Sequence, residues 1–279
     1  MSHFYPSDGA RLAYADTGAG LPVVFVHPTP VDHAFWTPLI ERLAGVRAIA
    51  PDLRGHGASE LGAGLPVGGF ACVPDAPVLT MECLAADMLA LLDHLGVEKA
   101  VFAGCSIGGY VLLELWRRAP ERVLGLAFLC SKPQPDPDAA RDKRAVTIAM
   151  AREGKKEELF DGMVRSSTGT AAQAARPEMM AELRARMTLT ADALVATQAG
   201  LATRPDSVPT VSTIRVPLLA VAGGQDLSVA AEDLRVLLAA GGPRVDYTYL
   251  ADAGHFAAYE QPDAVAERVG SWLRLFQPA

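Results

Sequence analysis

The sequence has no excess of basic residues and no segment that fits a membrane span or a secretion signal. Lys and Arg number 25 against 32 Asp and Glu, a formal net charge of −7, which argues against nucleic acid as a partner. The longest apolar run, 100–116, is shorter than a membrane span and contains Glu114. The first residues lack a basic region followed by an apolar core. We therefore expect a cytoplasmic protein that binds neither nucleic acid nor a membrane.

Cysteine is also scarce, and its spacing fits no metal site. The four cysteines, Cys72, Cys83, Cys105 and Cys130, are scattered along the chain, and without an export signal a reducing compartment suits them. We expect no metal and no organic cofactor. A chain of 279 residues, half of them hydrophobic, can form one sizeable domain with an inserted subdomain. We expect it to act as a monomer or a homodimer.

The chain does contain an apolar strand that leads through a glycine-flanked serine into a helix. Residues 100–103 read as a buried strand, Gly-Cys-Ser-Ile-Gly follows at 104–108, and an apolar helical segment then runs to Pro120. Glycines two residues to either side let the neighbouring backbone pack closely around a strained turn. The pattern predicts that Ser106 projects from the carboxyl edge of a sheet, and that Cys105 points away from the pocket.

A serine nucleophile needs a base and an acid that orients the base, and both follow later in the chain. Asp226 comes directly after the apolar strand 218–222, and His255 follows the strand 245–250. Loops after neighbouring parallel strands lie at the edge where such sheets bind ligands. Taken singly, Asp226 is equally compatible with a helix cap and His255 with a surface loop. Together with Ser106 they predict a catalytic triad.

These motifs resemble the α/β-hydrolase family over nearly the whole chain. The loop His27-Pro28-Thr29-Pro30 with Trp36 resembles the family's oxyanion loop, and 51–59 resembles the turn after its fourth strand. The resemblance is nearest to small esterases, to lactonases such as β-ketoadipate enol-lactonase, and to cofactor-free perhydrolases. It implies an α/β fold, a three-layer α/β/α sandwich with a mainly parallel sheet. Pro28 and Cys105 depart from the usual pattern and leave the substrate open.

The resemblance also implies roles for individual residues. Ser106 is the expected nucleophile, His255 the base and Asp226 the acid, since the segment 130–133, where some relatives carry the acid, contains none. An oxyanion hole needs two backbone N–H donors, of which Ile107 supplies one. Proline has no N–H, so the second donor in the loop 27–30 is predicted to be Thr29.

A helical cap is predicted between two stretches of the core. Prolines at 133, 135 and 137 begin a segment of helical periodicity that ends at a second connector. We therefore assign residues 1–132 and 214–279 to the core and 133–213 to the cap. The cap methionines line a pocket or fill the space between helices. The candidate substrate contacts are His33, Trp36, Cys130, Met150, Met163 and Phe256.

The expected function is hydrolysis of an ester or lactone of a small, largely apolar molecule through a covalent acyl-enzyme. A carbon–carbon bond hydrolase, or a cofactor-free perhydrolase or haloperoxidase, uses the same triad. A ligand-binding or cyclisation accessory protein keeps the same fold. Fold and triad do not specify the substrate, so the sequence leaves these alternatives open.

Overall fold

The computed structural model describes residues 3–277, which form a twisted eight-stranded sheet. The strand order is β1-β2-β4-β3-β5-β6-β7-β8, in which β1 and β2 pair antiparallel at one edge, β2 pairs antiparallel with β4, and every later pair is parallel. The strands are β1 (His3–Ser7), β2 (Ala10–Gly18), β3 (Leu21–Val26), β4 (Val46–Pro51), β5 (Ala100–Cys105), β6 (Val123–Leu129), β7 (Leu218–Gly223) and β8 (Val245–Leu250).

Helices connect the parallel strands and cover both faces of the sheet. Short 3₁₀ turns occur at His33–Trp36, Pro120–Arg122, Val236–Ala239 and Arg274–Phe276. The α-helices are α1 (Thr37–Ile40), α2 (Met81–His94), α3 (Ile107–Arg118), α4 (Asp138–Arg152), α5 (Lys156–Ser167), α6 (Thr170–Ala175), α7 (Glu178–Ala185), α8 (Ala191–Ala202), α9 (Val208–Val211), α10 (Ala231–Arg235), α11 (Ala257–Glu260) and α12 (Pro262–Leu273).

Two hydrophobic cores lie on opposite sides of the sheet because successive side chains of a strand alternate between its faces. In β5, which is buried along its whole length, Phe102 packs into the core that includes Leu92 of α2. Its neighbours Val101 and Ala103 pack into the other core, with Trp272 of α12. The predicted three-layer sandwich with a mainly parallel sheet is therefore confirmed.

The helices α4 to α9 all lie between β6 and β7, in the segment predicted to be a cap. Helix α8 contacts the core closely: the Leu79 N–H donates to the Ala196 carbonyl at 3.0 Å, and a Cβ added to Gly200 would lie 1.8 Å from the Leu79 oxygen. That 133–213 is a separate domain stays a prediction. The outermost residues of the predicted core, 1–2 and 278–279, lie outside the described residues.

Nothing in the described part of the chain has the dimensions of a membrane span: within residues 3–277 no helix is both long and apolar enough.

Candidate active site

Ser106 occupies the sharp turn between β5 and α3. Its backbone has φ +53° and ψ −117°, a left-handed region in which a side chain is strained. The turn requires glycine at positions 104 and 108, because a side chain at either position would collide with neighbouring backbone. A Cβ on Gly104 would lie 2.5 Å from the Gly108 carbonyl carbon, and one on Gly108 would lie 2.2 Å from the Val26 oxygen. The turn therefore presents the Ser106 side chain beyond the carboxyl end of β5, as the sequence predicts.

Asp226 and His255 follow β7 and β8 and meet at the same edge of the sheet. His255 Nδ1 lies 2.8 Å from Asp226 Oδ2, and the Asp226 side chain is fully buried. The other carboxylate oxygen accepts the N–H groups of Ser228 at 2.7 Å and Val229 at 2.9 Å. Asp226 therefore both caps this turn and faces the histidine, so the two roles suggested by the sequence are compatible.

The contact with Asp226 determines how His255 can act. An ionised carboxylate only accepts hydrogen bonds, so Nδ1 carries the proton and Nε2 keeps its lone pair. His255 and Ser106 line one cavity. Among the side-chain hydrogen bonds within residues 3–277, none joins these two side chains. A catalytic hydrogen bond of this kind commonly tightens only when substrate is bound.

The loop after β3 holds one backbone donor over the cavity. His27 Nε2 accepts the Leu53 N–H at 2.9 Å, so its Nδ1 donates to the Pro28 carbonyl, also at 2.9 Å. Burial lowers the pKa of His27, which keeps the ring neutral for these two roles. In a planar trans peptide the C=O and the next N–H point in opposite directions. By fixing the Pro28 oxygen, His27 also fixes the direction of the Thr29 N–H.

A second buried histidine holds the Thr29 side chain. His56 Nδ1 donates to the Arg54 carbonyl at 2.9 Å, and its Nε2 lies 3.0 Å from Thr29 Oγ1. Burial lowers the pKa of His56 to about 3, so the neutral ring accepts the hydroxyl proton. The Thr29 and Ile107 N–H groups have no hydrogen-bond acceptor among residues 3–277. Both are therefore free to bind an oxygen atom at Ser106.

The cavity above Ser106 has a volume of about 690 Å³, within the range of small-molecule sites. Residues of the core and of the cap helices form its walls. Of the residues predicted from the sequence, those that line it are Thr29, Ser106, Met163 and His255.

The other predicted substrate contacts do not line this cavity. His33 is bound to Asp52, its Nδ1 lying 2.7 Å from Oδ1, and this hydrogen bond is the main cause that raises the His33 pKa. Trp36 and Phe256 are completely buried, and both rings pack against Phe35, with centroids 5.0 and 5.3 Å away. Met150, on α4, also lies outside the cavity wall. None of these four residues therefore lines the space above Ser106.

Cys130 and Cys105 are both buried beneath the loop that carries His255. The Cys105 thiol donates to the His255 carbonyl and the Cys130 thiol to the Gly254 carbonyl, each at 3.6 Å. Burial raises the pKa of both thiols well above the ordinary value. Cys105 therefore points away from the cavity, as predicted, and Cys130 does not line it.

Charged side chains also line the cavity, which sequence patterning missed. Lys132 and Asp136 lie between β6 and α4, and Lys143 and Arg144 lie on α4. The cavity wall therefore carries charged groups beside its apolar residues, and the apolar character expected of the substrate stays a prediction. Helical periodicity shows which residues of α4 share a face, but it does not show which of its faces borders the cavity. The one feature of the sequence that could have indicated a charged wall is the adjacent pair Lys143 and Arg144 in a predicted cap helix.

A carboxylate that the sequence analysis did not single out supports the histidine loop. Glu260 is buried and accepts three backbone N–H groups, those of Gly254 at 2.8 Å, Gly169 at 2.9 Å and Phe256 at 3.1 Å. Burial raises the pKa of Glu260, and the three donors oppose that rise. Two of these donors flank His255 directly, so Glu260 determines the path of the loop.

Within residues 3–277, no group of three His, Cys, Asp or Glu residues could hold a metal ion.

The sequence profile described as "Alpha/beta hydrolase family" matches residues 23–268. The chain therefore belongs to the α/β-hydrolase family, which agrees with its sheet order and with the strained serine turn.

Solved structures of similar fold include hydrolases of esters and lactones. A thermophilic esterase from Thermogutta terrifontis, solved with malate bound, is 30% identical, with complete coverage of both chains and a TM-score of 0.87. The enol-lactonase of Burkholderia xenovorans LB400 covers 98% of this chain and 100% of its own, with a TM-score of 0.85. Its identity of 24% supports the fold alone.

The curated relatives at 30% identity or more match over shorter segments than these structures do. A non-heme haloperoxidase of Rhodococcus erythropolis is 36% identical over 108 residues, which are 37% of this chain and 34% of that protein. Other curated relatives at 31 to 34% identity are likewise matched over less than half of their own length, at 40% and 24%.

Proposed function

We propose that this protein is a serine hydrolase that cleaves an ester or lactone of a small molecule through a covalent acyl-enzyme. One observation carries the proposal: Ser106 in its strained turn and His255, oriented by Asp226 at 2.8 Å, line the same cavity. The similar esterase structure, at 30% identity over the whole chain, supports the reaction class.

In the proposed reaction, His255 Nε2 removes the hydroxyl proton as Ser106 Oγ attacks the carbonyl carbon of the substrate. The tetrahedral intermediate collapses, the bond to the leaving oxygen breaks, and His255 returns the proton to that oxygen. Water then attacks the acyl-enzyme in the same manner and releases the acid. The Asp226 carboxylate stabilises the imidazolium form of His255 in both halves of the reaction.

The oxyanion of the intermediate is proposed to bind the two free N–H groups of Thr29 and Ile107. Ile107 is the first residue of α3, where helical N–H groups have no intrahelical partner. Donors that are fixed before the reaction stabilise developing charge without reorganising. The hydrogen bonds of His27 and His56 hold Thr29 in this way.

Intact-mass spectrometry with p-nitrophenyl acetate tests the nucleophile. We expect an acetyl adduct that maps to Ser106 and is absent from Ser106→Ala, with hydrolysis reduced by about 10⁴–10⁶ because the triad acts as a unit. Ser166→Ala is the matched control, since Ser166 lines the same cavity and its hydroxyl donates to the Met163 carbonyl at 3.2 Å. Unchanged turnover in Ser106→Ala would refute the serine mechanism.

Perhydrolysis is a second candidate because the Rhodococcus relative is a non-heme haloperoxidase. In that reaction hydrogen peroxide replaces water in the attack on the acyl-enzyme and releases a peracid. The peracid oxidises bromide to hypobromite, so bromination of monochlorodimedone that requires bromide, acetate, peroxide and Ser106 would establish it. If a panel of esters and lactones gives neither an adduct on Ser106 nor turnover, the fold serves binding or cyclisation instead.

A further inference from the structure

The cavity wall that the cap contributes carries basic side chains. Lys143, Arg144 and Thr147 belong to one stretch of α4, and all three line the cavity that contains Ser106 and His255. Arg144 is partly buried, with 21% of its side chain exposed, whereas Lys143 is exposed. A substrate attached to Ser106 therefore shares its cavity with a guanidinium and an ammonium group.

The charge of this wall is not balanced by the protein. Asp136 is bound by both Arg144 and Arg204, so two buried or partly buried guanidinium groups share one carboxylate. Burial acts to raise the pKa of Asp136, but the two arginines lower it overall, which keeps the carboxylate ionised. Lys132 has its own partner, Asp233, at 2.7 Å. Lys143 forms no salt bridge within the described residues 3–277, so the wall keeps an excess of positive charge.

Arg144 also has unused hydrogen-bonding capacity. Its Nε donates to Asp136 and its Nη1 to Gln198 Oε1 at 2.9 Å, while its Nη2 has no acceptor among residues 3–277. Arg204 differs, because it is 5% exposed, donates to Asp136 and to backbone carbonyls, and stacks 4.2 Å over the Tyr110 ring. Arg204 thus holds Asp136 in place, and Arg144 is the guanidinium that faces the cavity.

We propose that Arg144 and Lys143 form a subsite for a carboxylate of the substrate. The ester or lactone that this protein prefers is then an anion whose carboxylate lies away from the scissile bond. This inference rests on the proposed function. The Arg144 guanidinium, fixed by Asp136 and Gln198, supplies a directed charge-assisted donor, and Lys143 adds attraction that water and salt screen.

A pair of matched substrates tests the subsite. Monomethyl adipate and the methyl ester of adipamic acid have the same scissile ester and differ only in a terminal carboxylate or carboxamide. We expect the wild-type protein to hydrolyse the carboxylate substrate with a kcat/KM at least tenfold higher at low ionic strength. Sodium chloride at high concentration should reduce that preference, since an exposed ammonium contributes to it. Equal kcat/KM values for the two substrates would overturn the proposal.

Substitutions separate recognition from a structural role of the helix. Arg144→Gln should lower the ratio of the two kcat/KM values about tenfold, the effect of losing one charged hydrogen bond. Lys143→Gln should lower it about threefold, as befits an exposed charge. Arg141→Gln is the matched control: Arg141 lies on the same helix, pairs with Asp138 and lies outside this cavity, so the ratio should stay at the wild-type value. Equal losses on both substrates would assign Arg144 to structure alone and reject the subsite.

Binding measurements distinguish failure of the subsite from failure of the proposed function. Isothermal titration calorimetry of adipate with the wild-type protein needs no turnover. If neither ester is hydrolysed but adipate binds, with weaker binding in Arg144→Gln and not in Arg141→Gln, the subsite stands and the hydrolase proposal falls. If the neutral ester is hydrolysed through Ser106 and adipate neither binds nor inhibits, the hydrolase stands and the subsite falls.

Discussion

Glu260 and Gly169 connect the core to the cap: the Glu260 carboxylate, at the end of α11, accepts the Gly169 N–H at 2.9 Å. The same oxygen accepts the Gly254 N–H at 2.8 Å, and the other accepts that of Phe256 at 3.1 Å. One buried acid therefore joins the turn before α6 to both residues that flank His255. The position of the histidine and the attachment of the cap depend on the same side chain.

Glu260→Gln should weaken both functions of this contact. A carboxamide has one acceptor oxygen, so at least one of three buried N–H groups would face an NH₂ group. If the amide oxygen keeps the Gly169 and Gly254 donors, the Phe256 N–H loses this acceptor but still donates to the Ser167 carbonyl at 3.0 Å, so the expected loss of unfolding free energy is about 1 kcal/mol. We expect a lower melting temperature and a kcat reduced about tenfold, with less change in KM because Glu260 does not line the cavity.

The exposed Glu267 on α12 supplies the control for Glu260. Glu267→Gln removes the same charge without removing a buried acceptor, so melting temperature and kcat should match the wild type. If Glu260→Gln behaves like this control, the carboxylate does not position His255.

The parts of the site that could be predicted depend on local signals. One short segment contains the apolar strand, the glycines beside Ser106 and the helix that follows. Residues close together in the sequence therefore determine the serine turn. Asp226 and His255 could be placed at one sheet edge because each follows a buried strand. The hydrogen bonds of His27 with the Pro28 carbonyl and of His56 with the Arg54 carbonyl are likewise local, since each joins residues one or two positions apart.

The parts that could not be predicted depend on contacts between distant segments. Glu260 accepts a hydrogen bond from Gly169, which lies 91 positions earlier in the chain. No local sequence pattern predicts that these two residues are in contact. Trp36 and Phe256 lie near predicted site residues along the chain, but their rings pack against Phe35 and do not reach the cavity. The charged wall on α4 likewise depends on how the cap is rotated over the core, which periodicity does not determine.

Gly108→Ala should prevent the serine turn from forming. The added Cβ would lie 2.2 Å from the Val26 oxygen and 3.0 Å from its carbonyl carbon, and this backbone belongs to a central strand. We expect a loss of about 3 kcal/mol or more in urea unfolding, or no folded protein.

Gly162→Ala, in α5, gives the opposite expectation for the same chemical change. Nothing lies within 4 Å of its added Cβ, so alanine should stabilise the helix by up to about 1 kcal/mol. Similar unfolding free energies for the two variants would show that the close approach of Gly108 to Val26 is not required.

His56 should make the fold sensitive to acid. Its folded-state pKa of about 3 lies below the ordinary value near 6.5, so the unfolded chain binds more protons once the pH falls below about 6.5. Stability from this residue is present above that pH and is lost as the pH falls towards 3. Between pH 7.5 and pH 5.0 the loss amounts to about 2 kcal/mol for this histidine.

Urea unfolding at the two pH values tests this linkage. His56→Gln should start less stable at pH 7.5, because the contacts with Arg54 and Thr29 are altered. Its stability should nevertheless fall less on acidification, by about 2 kcal/mol relative to the wild type. A variant with the same pH dependence as the wild type would show that His56 already titrates normally in the folded protein.

Substitutions of Thr29 test whether its backbone N–H, directed by His27, stabilises the oxyanion. Thr29→Ala removes the hydroxyl that binds His56 but keeps the N–H, so kcat should fall less than tenfold. Thr29→Pro removes the N–H, and loss of one such donor typically costs roughly 10²–10³ in rate. Thr29→Gly keeps the N–H in a looser loop, so its kcat should lie between those of the other two variants.

Circular dichroism and melting temperatures identify any Thr29 variant that fails to fold. Affinity for phenylboronic acid measures the contribution of the Thr29 N–H without turnover. Tight boronate binding by a folded Thr29→Pro variant would exclude Thr29 as the donor.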